Sequence, residues 1–290
     1  MDTQTPPKSV LHSSLVALLF AVLAIGGVLY GITVSMPELA SRHGAGIDAM
    51  INYLLVMTGG LFLIGYCALA WFIWTGARRS HVGQRLARRK TELLVSGALG
   101  IGVALIAEGG VLAIGMPVWA EYFEATPPAD AVTIEVTAQQ FLWNVRYPGR
   151  DGQFGRTRPD LMDDVANPVG LDRTDPASTD DIVTQNEIAV PVGRAVHVRL
   201  LSKDVIHSFF LPNLRVKHDA VPGMTPEVIF FPTRTGNFEL LCAELCGLAH
   251  YRMRGFFNVV SPQEFDTWLR QQAVAQRAPD APTSTQGTAQ

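Results

Sequence analysis

Cys242-Ala-Glu-Leu-Cys246-Gly-Leu-Ala-His250-Tyr-Arg-Met253 is the stretch that decides how the rest of the chain is read. Only three cysteines occur in 290 residues, and two of them stand here, four positions apart, followed by an imidazole and a thioether. Thiolate, imidazole and thioether are soft or borderline donors that together suit copper, whereas zinc sites rarely recruit methionine. A mononuclear blue-copper site takes one Cys, two His and an axial Met, with the last three ligands on a single loop between two strands. Cys246, His250 and Met253 meet that description, and His207, on an earlier strand, is the natural first imidazole. Cys242 is then left over. Two such thiolates can both bridge a pair of copper ions. His207 with Met253 would complete one ion, and His250 with the backbone carbonyl of Glu244 the other. A disulfide between Cys242 and Cys246 is the plain alternative in an oxidising compartment, but it leaves the ligand-like intervals to His250 and Met253 unexplained. A dithiol redox switch would use Cys-x-x-Cys spacing instead.

A ligand loop of this kind needs a strand at each end, and the flanking runs 237–242 and 253–260 are β-rich. Further runs of that character cover 131–137, 141–147, 186–190, 195–202, 206–211 and 226–232. Short runs broken by turn residues predict a sandwich over 131–260 rather than a helical bundle. Between the second and third runs in chain order, the Asp/Pro/Gly-rich stretch 149–182 reads as a solvated surface loop. After the sandwich, Ser261-Pro262-Gln263-Glu264 has the form of a helix start, with Ser as cap, Pro at the first position and Glu placed to return a hydrogen bond. A closing helix is expected over 261–274, then a disordered tail, 275–290, with too few apolar residues to fold alone.

Upstream, the chain changes character. Hydrophobic residues make up 48% of the whole, high for a purely soluble domain. They concentrate in 13–35, 51–76 and 93–118, each long enough to cross a bilayer as a helix. The loop 77–92 carries Arg78, Arg79, Arg85, Arg88, Arg89 and Lys90, so it is expected on the cytoplasmic side. Segment 51–76 then runs inward and 93–118 outward, which leaves loop 36–50 and everything after residue 119 outside. Residues 1–12 form a cytoplasmic N-terminus if 13–35 is a retained helix or signal anchor, and its apolar run is long for a cleaved signal. Glu108, inside an apolar helix where an unpaired charge is expensive, is expected to face another subunit. A net charge of −3 gives no basic face for nucleic acid.

These stretches together resemble one family. CAELCGLAHYRM resembles the copper loop of cytochrome c oxidase subunit II, and DVIHSFFLP (204–212) followed by LRVKHDAVPG (214–223) is similar to that family's preceding segments. Residues 51–274 follow its order of two helices and then a cupredoxin-type sandwich. The resemblance implies a membrane-anchored all-β fold with N-terminal transmembrane helices and a cupredoxin-like β-sandwich. It also implies a binuclear copper A centre on His207, Cys242, Glu244, Cys246, His250 and Met253. Electrons would come from a c-type cytochrome and pass to haem in subunit I, where oxygen is reduced to water; this chain would hold no catalytic residue of its own. The setting implied is multi-pass in a bacterial-type plasma membrane, in contact with lipid and other oxidase subunits, with the copper domain on the periplasmic side.

Individual positions carry further implications of the resemblance. The Glu244 side chain would point away from copper toward a magnesium ion shared with subunit I. Asp204, Lys217 and Asp219 match polar positions near the docking surface or the subunit I contact. The run 139–147 resembles the aromatic segment whose exposed tryptophan receives the electron; Phe141 stands in that tryptophan's place and Trp143 two residues later, so either could serve. Glu92 matches a glutamate near the mouth of a proton pathway, although Ser96 and Leu99 or their neighbours replace the Trp and Pro that usually follow. Phe209, Phe210, Phe256 and Phe257 are expected to exclude water around the copper. Three rivals stand beside this reading. A copper subunit of a nitric oxide reductase would share the centre, a quinol oxidase subunit would lack the copper ligands, and a non-enzymatic membrane copper-binding protein would hold copper loosely.

Overall fold

A computed structural model of the chain describes residues 8–77, 89–124 and 126–277. Most of the basic loop, the first seven residues and the tail from 278 lie outside the described residues. The chain divides into two compact units, one of residues 1–36 and 46–118, the other of 37–45 and 119–290.

The first unit holds three helices, α1 (Lys8–Gly31), α2 (Gly44–Ala77) and α3 (Arg89–Trp119), each long and apolar enough to cross a membrane. Most boundaries differ from the sequence reading by a few residues, and two of them have a local cause. Helix α1 stops at Gly31, where Thr33 turns its hydroxyl back onto the Tyr30 carbonyl, and the β-branched Ile32-Thr33-Val34 run before Pro37 does not extend the helix. Helix α2 starts seven residues before 51, because Gly44 to Met50 continue the helix despite Asp48. Helices α2 and α3 pack antiparallel through small residues. Val118 fills the space a side chain at Gly46 would need, Met50 does so at Gly115, and the Tyr53 ring at Gly110. Tyr53 also donates its hydroxyl proton to the Ile106 carbonyl. Phe20 of α1 meets Tyr66 of α2 edge-on at 5.3 Å.

The second unit is a sandwich of two five-stranded sheets. Its strands are β1 (Val132–Gln139), β2 (Leu142–Tyr147), β3 (Ile182–Gln185), β4 (Glu187–Pro191), β5 (Val196–Ser202), β6 (His207–Leu211), β7 (Val216–Ala220), β8 (Glu227–Phe230), β9 (Gly236–Cys242) and β10 (Arg254–Val260). One sheet runs β3-β2-β1-β5-β8 and the other β4-β10-β9-β6-β7. The pairs β1–β5 and β4–β10 are parallel; every other pair is antiparallel. Between the sheets lie Trp143, Phe209, Phe230, Phe257, Leu200 and Leu240, all fully buried. Helix α4 (Pro262–Arg277) covers one end. Its Ser261–Glu264 capping box is present, with Glu264 accepting from the Ser261 N–H at 2.9 Å and the Ser261 hydroxyl accepting from the Glu264 N–H. Phe265 and Trp268 on its apolar face meet the Tyr147 ring.

Residues 149–182 are not the solvated loop that their composition suggests. Asp172 and Asp181 are buried, and each is a hub of hydrogen bonds. Asp172 accepts from Arg156 and Thr174. Asp181 accepts from the Gly155 N–H and from Arg146 of β2. Arg146 also bonds to Glu135 of β1 and the Gly155 carbonyl, so one buried guanidinium pins the excursion to the sheet.

Residues 37–45, between α1 and α2, form a clasp on the sandwich. Ala40 N–H donates to the Asn213 carbonyl, Arg42 N–H to Phe231, and Thr233 N–H returns a bond to Ala40. The Arg42 guanidinium lies 3.6 Å over the Phe231 ring and pairs with Glu121.

Candidate metal centre

Strand β9 ends at Cys242 and β10 begins at Arg254, so the loop between them carries every candidate ligand except His207. The Cys242 N–H donates to the Met253 carbonyl at 3.2 Å, closing the base of the loop, and the Ala243 N–H ties it to Ser208 of β6. The pairing Phe209–Cys242 sets β6 beside β9, which brings His207 to the loop. Residues far apart in sequence are thus held by ladders that do not depend on the ligands themselves.

The donors gather around two sulfurs. Cys242 and Cys246 are free thiols with Sγ atoms 3.7 Å apart. His207 Nδ1 is 3.9 Å from Cys242 Sγ, and His250 Nδ1 is 3.6 Å from Cys246 Sγ. Met253 Sδ lies 3.7 Å from Cys246 Sγ, and the Glu244 carbonyl oxygen 3.2 Å from Cys242 Sγ. His207, Cys242 and Cys246 form the metal-competent His/Cys/acid cluster found among the described residues, and all three are buried. This donor set fits copper by softness. Its number fits two ions better than one, because a single four-coordinate ion would leave two of the six donors idle.

The electrostatics of the metal-free pair are unequal. Burial opposes the Cys242 thiolate, but hydrogen bonds from His207 and the Ser208 backbone outweigh it and bring its pKa down to about 6. Cys246 is pushed up to about 12 by burial and then by the neighbouring Cys242. Cys242 is therefore the readier thiolate of the two. Burial also opposes charge on His207, yet Cys242 and Asp204 more than offset it and its pKa is raised.

Asp204 explains which nitrogen of His207 faces the sulfurs. Its carboxylate bonds His207 Nε2 at 2.8 Å, leaving Nδ1 turned inward, as outer carboxylates do for metal-bound imidazoles. Asp204 also accepts from the Gln140 N–H, and the Gln140 side chain donates to the Cys246 carbonyl at 2.5 Å. Gly247 sits at φ +131, and a side chain there would meet Gln140 and the Phe141 ring. Sequence reasoning named neither Gln140 nor Gly247 as supports of the loop. The lone glycine after the second cysteine was the available signal.

The other predicted positions separate. Trp143 is fully buried, with its ring centroid 6.2 Å from His207 and 5.9 Å from Phe209. It is therefore not an exposed aromatic. Phe141 is half-buried beside Gly247. The Glu244 side chain is exposed while its carbonyl faces Cys242. Phe209 and Phe257 are in the core, but Phe256 is 50% exposed. Lys217 and Asp219 pair with each other at 3.0 Å on the surface. Glu92 lies in the first turn of α3.

Known proteins resemble the chain along most of its length. The family described as cytochrome c oxidase subunit II, periplasmic domain, matches residues 132–260. An alternative cytochrome c oxidase subunit 2 of Bradyrhizobium diazoefficiens is 37% identical over 266 residues, covering 89% of this chain and 91% of that protein. Cytochrome c oxidase subunit 2 of Cereibacter sphaeroides is 29% identical over 246 residues, covering 80% and 78%. A crystal structure of the periplasmic domain of cytochrome oxidase subunit II from Bradyrhizobium japonicum is 32% identical, covers 52% of this chain and 99% of its own, and has a TM-score of 0.38.

Proposed function

Because this chain belongs to the cytochrome c oxidase subunit II family, we propose that its exported domain relays electrons from a c-type cytochrome, through a binuclear copper A centre, to haem in the catalytic subunit, where oxygen is reduced to water. The ligands are His207, Cys242, the Glu244 carbonyl, Cys246, His250 and Met253. The observation that carries this reading is the gathering of all six donors about two sulfurs 3.7 Å apart, with His207 nearest one and His250 nearest the other. When bound, the copper pair supplies reversible one-electron chemistry with the charge spread over both ions.

The chain's own residues do the positioning. The strand ends hold the sulfurs, Asp204 orients His207, and Gln140 holds the Cys246 carbonyl, so few atoms need to move when charge changes. Phe141, beside the ligand loop and half-buried, is the contact at which the electron arrives; Trp143 lies behind His207 as packing. The exposed Glu244 carboxylate is free to reach a magnesium ion shared with the catalytic subunit. Glu92 marks the cytoplasmic mouth of a proton path, and the helices α1 to α3 sit in lipid of a bacterial-type plasma membrane.

Paramagnetic resonance of the full chain, purified in detergent and loaded with copper, tests the centre. The expected signal is one electron delocalised over two copper nuclei. A single-copper hyperfine pattern, or no copper retained, overturns the reading. Asp204→Ala is expected to leave the fold intact and to lower copper affinity by about 10- to 100-fold, measured by competition with a chelator. Unchanged affinity would show that His207 needs no outer carboxylate.

A further inference from the structure

An ammonium group is enclosed beside the strand that carries the first imidazole. Lys203 stands in the turn between β5 and β6, and its side chain is only 10% exposed. A lysine so enclosed is rare unless its charge and its donors are met. Nζ donates to Gln139 Oε1 at 2.7 Å and to Asp164 Oδ1 at 3.0 Å. The Lys203 N–H donates to the Ala138 carbonyl at 3.0 Å. Backbone and side chain together therefore fasten the turn to the end of β1.

The neighbours of both fastened residues reach the metal site. Asp204, next to Lys203, holds His207 Nε2, and Gln140, next to Gln139, holds the Cys246 carbonyl. The Gln140 N–H donates to Asp204 at 2.7 Å, so two side-chain contacts between β1 and the turn lie one beside the other. Gln139 is itself held in place. Its Oε1 also accepts from Asn144 Nδ2 at 2.9 Å, and Asn144 Oδ1 accepts from Gln185 at 3.1 Å. Both Gln139 and Asn144 are buried. Asp164 comes from the excursion 149–182, where Asp163 accepts from the Val165 and Ala166 N–H groups and fixes the turn that presents it. Asp164 is 75% exposed and has little need of a partner, whereas the enclosed ammonium does. The pair therefore serves the turn that bears Lys203.

We infer that Lys203 is a positioning residue for the copper centre: clamped between Gln139 and Asp164, it holds the turn that sets Asp204 against His207, and so ties the Asp-rich excursion to the ligand geometry. The inference rests on the copper-relay reading above. With the clamp released, the Asp204 carboxylate is no longer fixed at Nε2, and His207 Nδ1 loses its set aim toward Cys242. The effect falls on the ligand more than on the fold. Orientation of a metal-binding imidazole by an outer partner is worth about 10- to 100-fold in affinity. Lys203 acts one step further out, so a several-fold effect is expected.

The full chain, purified in detergent and loaded with copper, gives the test. Lys203→Met is expected to weaken copper binding several-fold in competition with a chelator and to alter the two-copper hyperfine pattern. Lys203→Arg is expected to restore both. Asp164→Ala is expected to change both in the same direction by a smaller amount, its carboxylate being exposed. A charge effect without repositioning would act otherwise. Loss of a cation would lower the reduction potential of the centre and loss of an anion would raise it, with the hyperfine pattern of the parent kept. That outcome overturns the inference, as does a lower melting temperature of metal-free Lys203→Met with affinity and hyperfine pattern unchanged. If Lys203→Met does not fold, Asp164→Ala decides, and parental affinity and hyperfine pattern there overturn the inference. A parent chain without a two-copper signal refutes the relay reading itself, a result distinct from any difference between parent and variants.

Discussion

Cys246→Ser is expected to abolish the two-copper signal and to lower cytochrome c oxidation by the assembled enzyme by on the order of 100-fold or more. Cys246 touches three other donors, with His250, Met253 and Cys242 all within 3.7 Å of its sulfur. Serine oxygen is a hard donor that copper in this setting does not favour, and it cannot spread charge between two ions as sulfur does. The fold should survive, because the loop base is closed by backbone bonds from Cys242 to Met253 and from Ala243 to Ser208. Copper content, paramagnetic resonance and turnover are measured on one preparation. A persisting two-copper signal would mean that Cys246 does not bridge.

The largest effect on stability is expected at Arg146. Its guanidinium is buried and meets Glu135, Asp181 and the Gly155 carbonyl. Arg146→Met keeps much of the volume but leaves Asp181 with a buried charge and no cation, at a cost of about 3–5 kcal/mol. Glu135 would keep Arg199 at 2.7 Å, so the damage should concentrate in residues 149–182. Arg156→Met is the contrast. Arg156 is 60% exposed although its partner Asp172 is buried, and Thr174 still satisfies that carboxylate, so the expected loss is about 1 kcal/mol or less. Urea unfolding of the two variants against the parent chain reads the difference. Equal losses would show that the buried cluster gives no more than an exposed pair.

The candidate donors stand out in the sequence because their chemistry is concentrated. Five of the six donors lie within twelve residues, and the sixth opens a strand, so residue type and spacing together narrow the choices. Strand alternation also distinguishes the two faces of β10. Read backward from Val259, it turns Phe257 inward and Phe256 outward, as found. Other features depend on partners that a local reading cannot supply. Asp181 looks like a surface residue until Arg146, thirty-five positions earlier, is seen to face it. Strand β7, with Lys217, His218 and Asp219 in five residues, has no apolar rhythm of its own and is formed by pairing with β6. Trp143 sits in an aromatic run suggestive of a surface contact, yet Phe209 and His207 enclose it.

The clasp of residues 37–45 sets an order of events in biogenesis. It is synthesised before α2 and α3, yet its hydrogen-bonding partners, Asn213, Phe231 and Thr233, belong to the second half of the sandwich. Until those residues emerge, the Ala40 and Arg42 amides have nothing to pair with but water. The clasp can therefore close on the domain only once both segments have been made. A soluble fragment beginning after α3 would lack the covering of Ala40 and Ser41, both buried here, and would leave the carbonyls of Asn213 and Leu214 without their donors.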